Sequence, residues 1–249
     1  MTALAWEGCL NVRDLGGFPT GDGRRTRLGG VVRADNVRRL TDAGWRALAE
    51  HGVTRIVDLR WPEELARDQP REVDVDVVHV SVLGDELDPV YLAELDSHLD
   101  SVDDVADHYA WSYVDFLERY RDRFGLAFAA IADADPDGTV VVHCAGGKDR
   151  TGLVAALLLR LVGVPREAIA ADYALSADNL RPDLEAWLDE AADDAERARH
   201  AKLSGTPADA MLRVLEELES RYGDVAAYLR AAGLTEAQID RLRNRLAAA

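Results

Sequence analysis

The segment that most narrows what this chain can fold into runs from Thr139 to Leu161. It joins an apolar strand pattern (Thr139-Val140-Val141-Val142), a glycine-bearing loop (HCAGGKDRTG, His143 to Gly152) and an apolar helix from about Thr151 to Leu161. The turn-rich Asp133-Ala134-Asp135-Pro136-Asp137-Gly138 delivers the chain into the strand, and Gly163 closes the helix. Upstream, short apolar runs alternate with helical spacing, so the expectation is an α/β fold with a buried, mostly parallel central sheet flanked by helices.

The other elements follow from the same patterns. Val31-Val32, after Gly29-Gly30, reads as a short strand. Thr41 to Glu50 reads as a helix ending near Gly52, Thr54 to Leu59 as a second strand and Val75 to Val82 as a third. Val102, Val105, Tyr109, Tyr113, Phe116 and Tyr120 recur at helical spacing. Beyond Pro165 the chain reads as helical throughout. Thr206 stands as an N-cap before Pro207, with an apolar face of Met211, Val214, Leu215, Leu218 and Tyr222 below it. Thr235 and Gln238 form a capping box for a last helix carrying Ile239, Leu242 and Leu246. These stripes are core faces, not ligand sites. At 249 residues the chain has room for one large domain or two small ones. No linker or repeat divides it, so a single domain over residues 1–249 is expected.

Charge excludes some partners. The formal net charge is −17, with Lys148 and Lys202 the only lysines. Such a surface repels nucleic acid, and no arginine-rich stripe offsets it. No run of about 18 apolar residues suggests a membrane span. The N-terminal residues lack a basic segment followed by an apolar one, so a cytoplasmic protein without a secretory signal is expected. Oligomeric state is not legible. Two cysteines, Cys9 and Cys144, are too few for a disulfide scaffold, and no spacing suggests a metal or other cofactor. Cys9 reads as a small buried hydrophobe.

Cys144 stands in a different setting. A glycine-rich turn between strand and helix leaves backbone N–H groups pointing into a concavity, and with the helix N-terminus it suits a tetrahedral dianion. Backbone donors would come from Ala145, Gly146, Gly147, Lys148, Asp149 and Arg150, with Gly146 and Gly147 letting the chain curl without a Cβ in the way. Arg150, six residues after Cys144, brings a planar fork that grips two phosphate oxygens. A thiol at the bottom of such a cup is held as the thiolate and attacks phosphorus to form a phosphocysteine. The hydroxyl of Thr151 is placed to donate to the sulfur as it leaves. His143 orders the loop by hydrogen bonding, and Lys148 adds a second cation that favours heavily charged substrates. Asp149 is either the general acid for the departing alcohol or a carboxylate bracing the loop. A buried structural thiol would not need two glycines, a lysine, an aspartate and an arginine beside it.

The loop HCAGGKDRTG resembles the HCxxGKDRTG loop of the bacterial protein-tyrosine phosphatase family typified by mycobacterial protein-tyrosine phosphatase B. The resemblance runs nearly end to end. It includes Asn11-Val12-Arg13-Asp14-Leu15-Gly16-Gly17, the stretch from Arg33 through Leu40-Thr41-Asp42-Ala43-Gly44 to Val57-Asp58-Leu59-Arg60, and Ala171-Asp172-Tyr173. It continues through Tyr222-Gly223, Tyr228-Leu229-Arg230 and Gly233-Leu234. The resemblance implies a tyrosine-phosphatase fold with a mobile helical lid, placed here between about Gly84 and Arg121, and a helical C-terminal part. It implies phosphotyrosine as substrate, with phosphoserine, phosphothreonine or phosphoinositides also in range, and a small phosphomonoester as a further option. It places the acid on Asp149 rather than on a separate loop, so Trp61-Pro62-Glu63 reads as a helix start. Asp58, at a strand's carboxyl end, is expected to face the pocket and position Arg150 or water. Ala145 and Gly146 depart from the family type, which implies a wider pocket. Two other classes remain open from sequence: a thiol enzyme of the sulfurtransferase or arsenate-reductase kind, and a non-catalytic phosphate-recognition module. Arsenate reduction recruits further thiols, of which only Cys9 is present, and a binding module needs neither Cys144 nor Arg150.

Overall fold

Side chains alternate along a strand, and in Thr139–His143 that sends Val140 and Val142 to one face and Val141 to the other. All three are buried, so the sheet around them is covered on both sides. The computed structural model describes residues 2–68, 71–86 and 88–247. Its strands are β1 (Thr2–Ala3), β2 (Arg13–Asp14), β3 (Val31–Ala34), β4 (Val53–Asp58), β5 (Asp76–His79) and β6 (Thr139–His143). They lie in the order β1-β2-β3-β6-β4-β5. The four strands β3, β6, β4 and β5 are parallel, and the two short strands at the β1 edge are antiparallel. The mostly parallel sheet expected from the sequence is therefore present.

The helices are α1 (Asp42–Glu50), α2 (Pro62–Leu65), α3 (Pro89–Ser101), α4 (Val105–Arg119), α5 (Arg121–Ala132), α6 (Asp149–Leu161), α7 (Arg166–Asn179), α8 (Arg181–Asp189), α9 (Asp194–Leu203), α10 (Ala208–Tyr222), α11 (Val225–Ala231) and α12 (Glu236–Leu246). On one face of the sheet Val32, Ile56 and Val141 pack with Leu48 of α1 and with Trp6. On the other, Val31, Val57, Val140 and Val142 join the large core supplied by α4 to α7 and α10 to α12. Helix α6 is apolar nearly all round because it is buried nearly all round, from Arg150 to Leu159. Among the described residues no helix is long and apolar enough to cross a membrane.

Three boundaries differ from the sequence reading. The third strand is cut to Asp76–His79. It is an edge strand paired on one side only, and the chain turns inward at Ser81, whose hydroxyl donates to the Gly84 carbonyl. Helix α4 starts at Val105, not Val102, because the Asp104 carboxylate caps it by accepting from the Ala106 N–H at 2.8 Å. Thr206 does not cap α10. Its hydroxyl donates to the Ala174 carbonyl and accepts from the Ala177 N–H, bracing α7, and Pro207 takes the cap position. The Thr235–Gln238 capping box forms as read.

The stretch between Gly84 and Arg121 contains two helices with different roles. Tyr109, Tyr113 and Leu117 of α4 are buried in the main core. Leu92, Leu95 and Leu99 of α3 line a cavity beside the Cys144 loop together with residues of α4 and α9, and residues of α8 and α9 line a second one.

Candidate active site

The loop after β6 turns its carbonyls away from the cup, and buried donors hold them there. The Asn36 N–H donates to the Ala145 carbonyl at 2.9 Å. Asn11 Nδ2 donates to the carbonyls of Gly146 and Gly147 at 3.0 and 3.2 Å, and Arg33 Nη2 donates to Gly147 at 2.7 Å. With the carbonyls fixed outward, the N–H groups face the other way. Among the described residues nothing accepts from the N–H groups of Ala145, Gly146, Gly147 or Lys148. Asp149 and Arg150 add the first N–H groups of α6, which have no partner within the helix. The result is a nest of donors ready for an oxyanion.

The braces are themselves braced. Asn11 Oδ1 accepts from Arg13 and from Asn179 Nδ2. Arg13 and Arg33 share one carboxylate, Asp172 of α7, at 2.7 and 2.6 Å. Asn11, Arg13, Arg33 and Asp172 are each at most 3% exposed. Burial alone would raise the Asp172 pKa, but the two guanidinium groups hold it below the usual carboxylate range. Burial and the repulsion of Arg33 push Arg13 down to about 10, with Asp172 resisting. The Asn11-Val12-Arg13 and Ala171-Asp172-Tyr173 motifs thus meet behind the loop, which explains their place in the sequence pattern. Asp14 serves a neighbouring turn, accepting from the N–H groups of Gly16 and Gly29.

Of the two loop glycines only one is conformationally required. Gly147 has φ 62°, and a Cβ there would lie 2.3 Å from the Ala34 carbonyl oxygen. Gly146 has no positive φ, and its Cβ would meet nothing nearer than Leu180 Cδ1 at 3.4 Å.

Cys144 lies at the floor of the loop, 2% exposed. Arg150, on the first turn of α6, is gripped from outside by Glu64 of α2: Nη1 donates to Oε2 at 2.5 Å and Nη2 to Oε1 at 2.8 Å. Its guanidinium also lies over the Trp61 ring, 4.6 Å from the centroid. Burial opposes the charge, yet the Glu64 bonds and the proximity of Cys144 hold the Arg150 pKa above its ordinary value. A guanidinium carries five N–H donors and Glu64 takes two, so three remain for an oxyanion. Thr151 is fully buried, and its hydroxyl has no hydrogen-bond partner among the described residues.

Three expectations change here. Asp58 does not position Arg150. It is bound by Arg60, with its Oδ2 2.7 Å from Nη2, and its Oδ2 lies 3.4 Å from His143 Nε2. Burial would raise its pKa, but His143 and Arg60 pull it far below the usual range. The carboxylate that holds Arg150 is Glu64, and the Trp61-Pro62-Glu63 helix start matters because it delivers Glu64. Lys148 is not a free cation in the cup. Its Nζ donates to Tyr109 Oη at 2.9 Å and to the carbonyls of Leu203 and Gly205 at 2.6 and 3.3 Å. Gly146 is not needed for curvature. His143 Nδ1 lies 3.2 Å from the Cys144 carbonyl.

Asp149 lines two cavities. One, of about 310 Å³, has Trp61, Leu83, Tyr109, Tyr113 and Phe116 among its walls and Arg150 at its base. The other, of about 380 Å³, lies beneath α8 and α9 between Ala145 and Trp187. Cys9 stays outside both. Its Sγ donates to the Asn36 carbonyl at 3.4 Å, and burial beside Asp35 pushes the thiol pKa well up, which suits a packing residue.

The model of the tyrosine phosphatase family matches residues 4–248. A tyrosine-protein phosphatase from Nostoc commune is 34% identical over 231 residues, covering 86% of this chain and 73% of that protein. The triple specificity protein phosphatase PtpB of Mycobacterium tuberculosis is 31% identical over 276 aligned positions, covering 95% of this chain and 96% of that one. The match spans the braces at Asn11 and Asp172 as well as the loop they hold, and the chain belongs to the tyrosine phosphatase family of phosphoric monoester hydrolases.

Proposed function

We propose that this chain hydrolyses phosphate monoesters, phosphotyrosine foremost, through a phosphocysteine intermediate on Cys144. One observation supports the reading: the carbonyls of Ala145, Gly146 and Gly147 are pinned by Asn36, Asn11 and Arg33, which leaves the loop N–H groups between Cys144 and Arg150 free to turn toward an oxyanion. Donors fixed before substrate arrives stabilise the charge that develops on the phosphoryl oxygens without reorganising.

In the first step the Cys144 thiolate forms the S–P bond as the ester P–O bond breaks, and Asp149 protonates the departing oxygen. In the second, water attacks phosphorus, gives its proton to Asp149, and the S–P bond breaks with Thr151 donating to the sulfur. The aromatic walls of the first cavity suit a phenyl ring, which favours an aryl phosphate. Phosphoserine, phosphothreonine and phosphoinositides rank lower, because Lys148 is occupied by the carbonyls of Leu203 and Gly205. A nucleophilic thiol suits a reducing compartment, hence the cytoplasm.

The test is phosphate release, with EDTA present, from a phosphotyrosine peptide, a phosphoserine peptide and short-chain phosphoinositides. Release led by phosphotyrosine is expected, and Cys144→Ser should abolish it while vanadate still binds. Turnover near wild type in Cys144→Ser would remove the phosphocysteine from the mechanism.

A further inference from the structure

Asp149 opens α6, where a short side chain with 37% exposure has several rotamers open to it. Two contacts restrict it. Tyr113 Oη, from α4, donates to Asp149 Oδ1. Lys148 Nζ lies 3.4 Å from the same oxygen, while nothing among the described residues donates to Oδ2. Tyr113 is in turn 2.8 Å from Tyr173 Oη of α7, and both rings are 1% exposed.

The hydrogen-bond direction follows from chemistry. An ionised carboxylate only accepts, so the Tyr113 proton points to Asp149, and Tyr173 must donate to Tyr113. Burial first, and then the nearby Asp149 charge, hold both phenols far above their ordinary pKa, so both stay protonated donors over any pH at which the enzyme works.

We infer that Tyr113 is a positioning residue for the acid–base step, fixed by Tyr173, and that it makes Oδ2 of Asp149 the oxygen that carries the proton. This rests on the acid role given to Asp149 above. With Oδ1 held as an acceptor in both protonation states, the proton leaves Oδ2 for the ester oxygen as the P–O bond breaks. It returns to Oδ2 from water as the S–P bond breaks. Tyr113 gains and loses no proton; it fixes which oxygen faces the cavity. A purely packing role would be met by phenylalanine at both positions, without two buried hydroxyls aligned on a cavity-facing carboxylate.

The experiment compares Tyr113→Phe, Asp149→Asn and the double variant on phenyl phosphate, a poor leaving group, and p-nitrophenyl phosphate, a good one. General acid catalysis contributes about 10²–10⁴-fold, and a positioning residue should hold part of that. Tyr113→Phe is expected to lower kcat about 10-fold or more on phenyl phosphate and several times less on p-nitrophenyl phosphate, with KM little changed. The double variant should be no slower than Asp149→Asn. Equal losses on both substrates, or additive losses in the double variant, would overturn the inference. If Asp149→Asn itself lacks leaving-group dependence, the acid role falls and the inference falls with it. If Asp149→Asn has that dependence and Tyr113→Phe lacks it, only the inference fails. Should Tyr113→Phe not fold, Tyr173→Phe carries the same comparison, because it keeps the contact to Asp149 but removes its fixing donor. A leaving-group dependence in that variant supports the chain of contacts, and none refutes it.

Discussion

Replacing Glu64 with glutamine tests whether the phosphate clamp is oriented from outside the loop. Both terminal nitrogens of Arg150 donate to this carboxylate, and the pair is nearly enclosed, with side chains 9% and 20% exposed. Glu64 Oε2 also accepts from the Trp61 N–H at 2.8 Å, so the carboxylate ties the entry of α2 to the clamp. Glutamine keeps the size but turns one acceptor into a donor facing a guanidinium N–H. Breaking a fully buried pair costs ~3–5 kcal/mol; here Arg150 keeps access to the cavity, so the expected loss is about 1–3 kcal/mol in urea unfolding at neutral pH. Catalysis and ground-state binding should separate. Removing the counter-charge leaves the Arg150 cation without its partner, so inhibition by inorganic phosphate should hold or tighten. A clamp no longer aimed at the transition state should lower kcat by about 10- to 100-fold. The pH dependence has a definite sign. Burial would raise the Glu64 pKa, but Arg150 pulls it below the ordinary glutamate value. Its stabilisation is therefore complete above the unfolded value of about 4.3 and is lost as pH falls through the folded one. Glutamine does not titrate, so wild type and variant should converge in stability as pH falls below about 4. Unchanged kcat in Glu64→Gln, or a stability gap that persists in acid, would refute external orientation of Arg150.

Three further substitutions probe the cradle. Gly147→Ala forces a residue with a side chain to φ 62° and drives its Cβ to 2.3 Å from the Ala34 carbonyl, so a loss of about 2 kcal/mol or more and of vanadate binding is expected, whereas Gly146→Ala should stay within about 1 kcal/mol of wild type. Equal melting temperatures for the two variants would contradict this. Asp172→Asn leaves Arg13 and Arg33 buried without their shared counter-charge, and unfolding should show a loss of about 3–5 kcal/mol together with weaker oxyanion binding. A variant as stable as wild type would mean that the two arginines do not depend on Asp172.

What could be read from residues alone divides along sequence separation. The strand Thr139–His143, the loop and α6 are contiguous, and their apolar pattern and glycines carry local information that no distant contact overrides. The partner of Arg150 lies 86 residues away in a segment whose acids also suit a helix first turn, so Glu64 had a local explanation that concealed its role. Asp58 misled for the opposite reason. Its strand-end position suggested the pocket, while Arg60, two residues on, was already a sufficient partner. The grip of Asn11 on Gly146 and Gly147 spans 135 and 136 residues; the motif was visible, but its purpose required the fold. Tyr113 was correctly seen on a helical stripe, yet periodicity records only that a ring is buried, not that its hydroxyl reaches a carboxylate.

The two lysines give the last step. A chain of net charge −17 has to bind a dianion, and both lysines were available to offset that field locally. Neither does so. Lys148 donates to the Leu203 and Gly205 carbonyls at the end of α9, and Lys202 donates to the Leu99 and Val102 carbonyls at the end of α3 at 2.7 and 3.1 Å. Each closes a helix C-terminus, where exposed carbonyls and the helix dipole favour a cation. Arg199 of α9 reaches Asp96 of α3, so the two helices that cover the first cavity are joined to each other and to the catalytic loop. Lysine here holds the cover, and anion binding is left to groups that acidic surroundings weaken least: backbone N–H donors and one arginine at hydrogen-bond range. Short-range donors outweigh a distant field because exposed charges beyond about 8–10 Å are screened by salt, while donors inside the cup are not. The acidic surface and the anion site are thus compatible because they act over different distances.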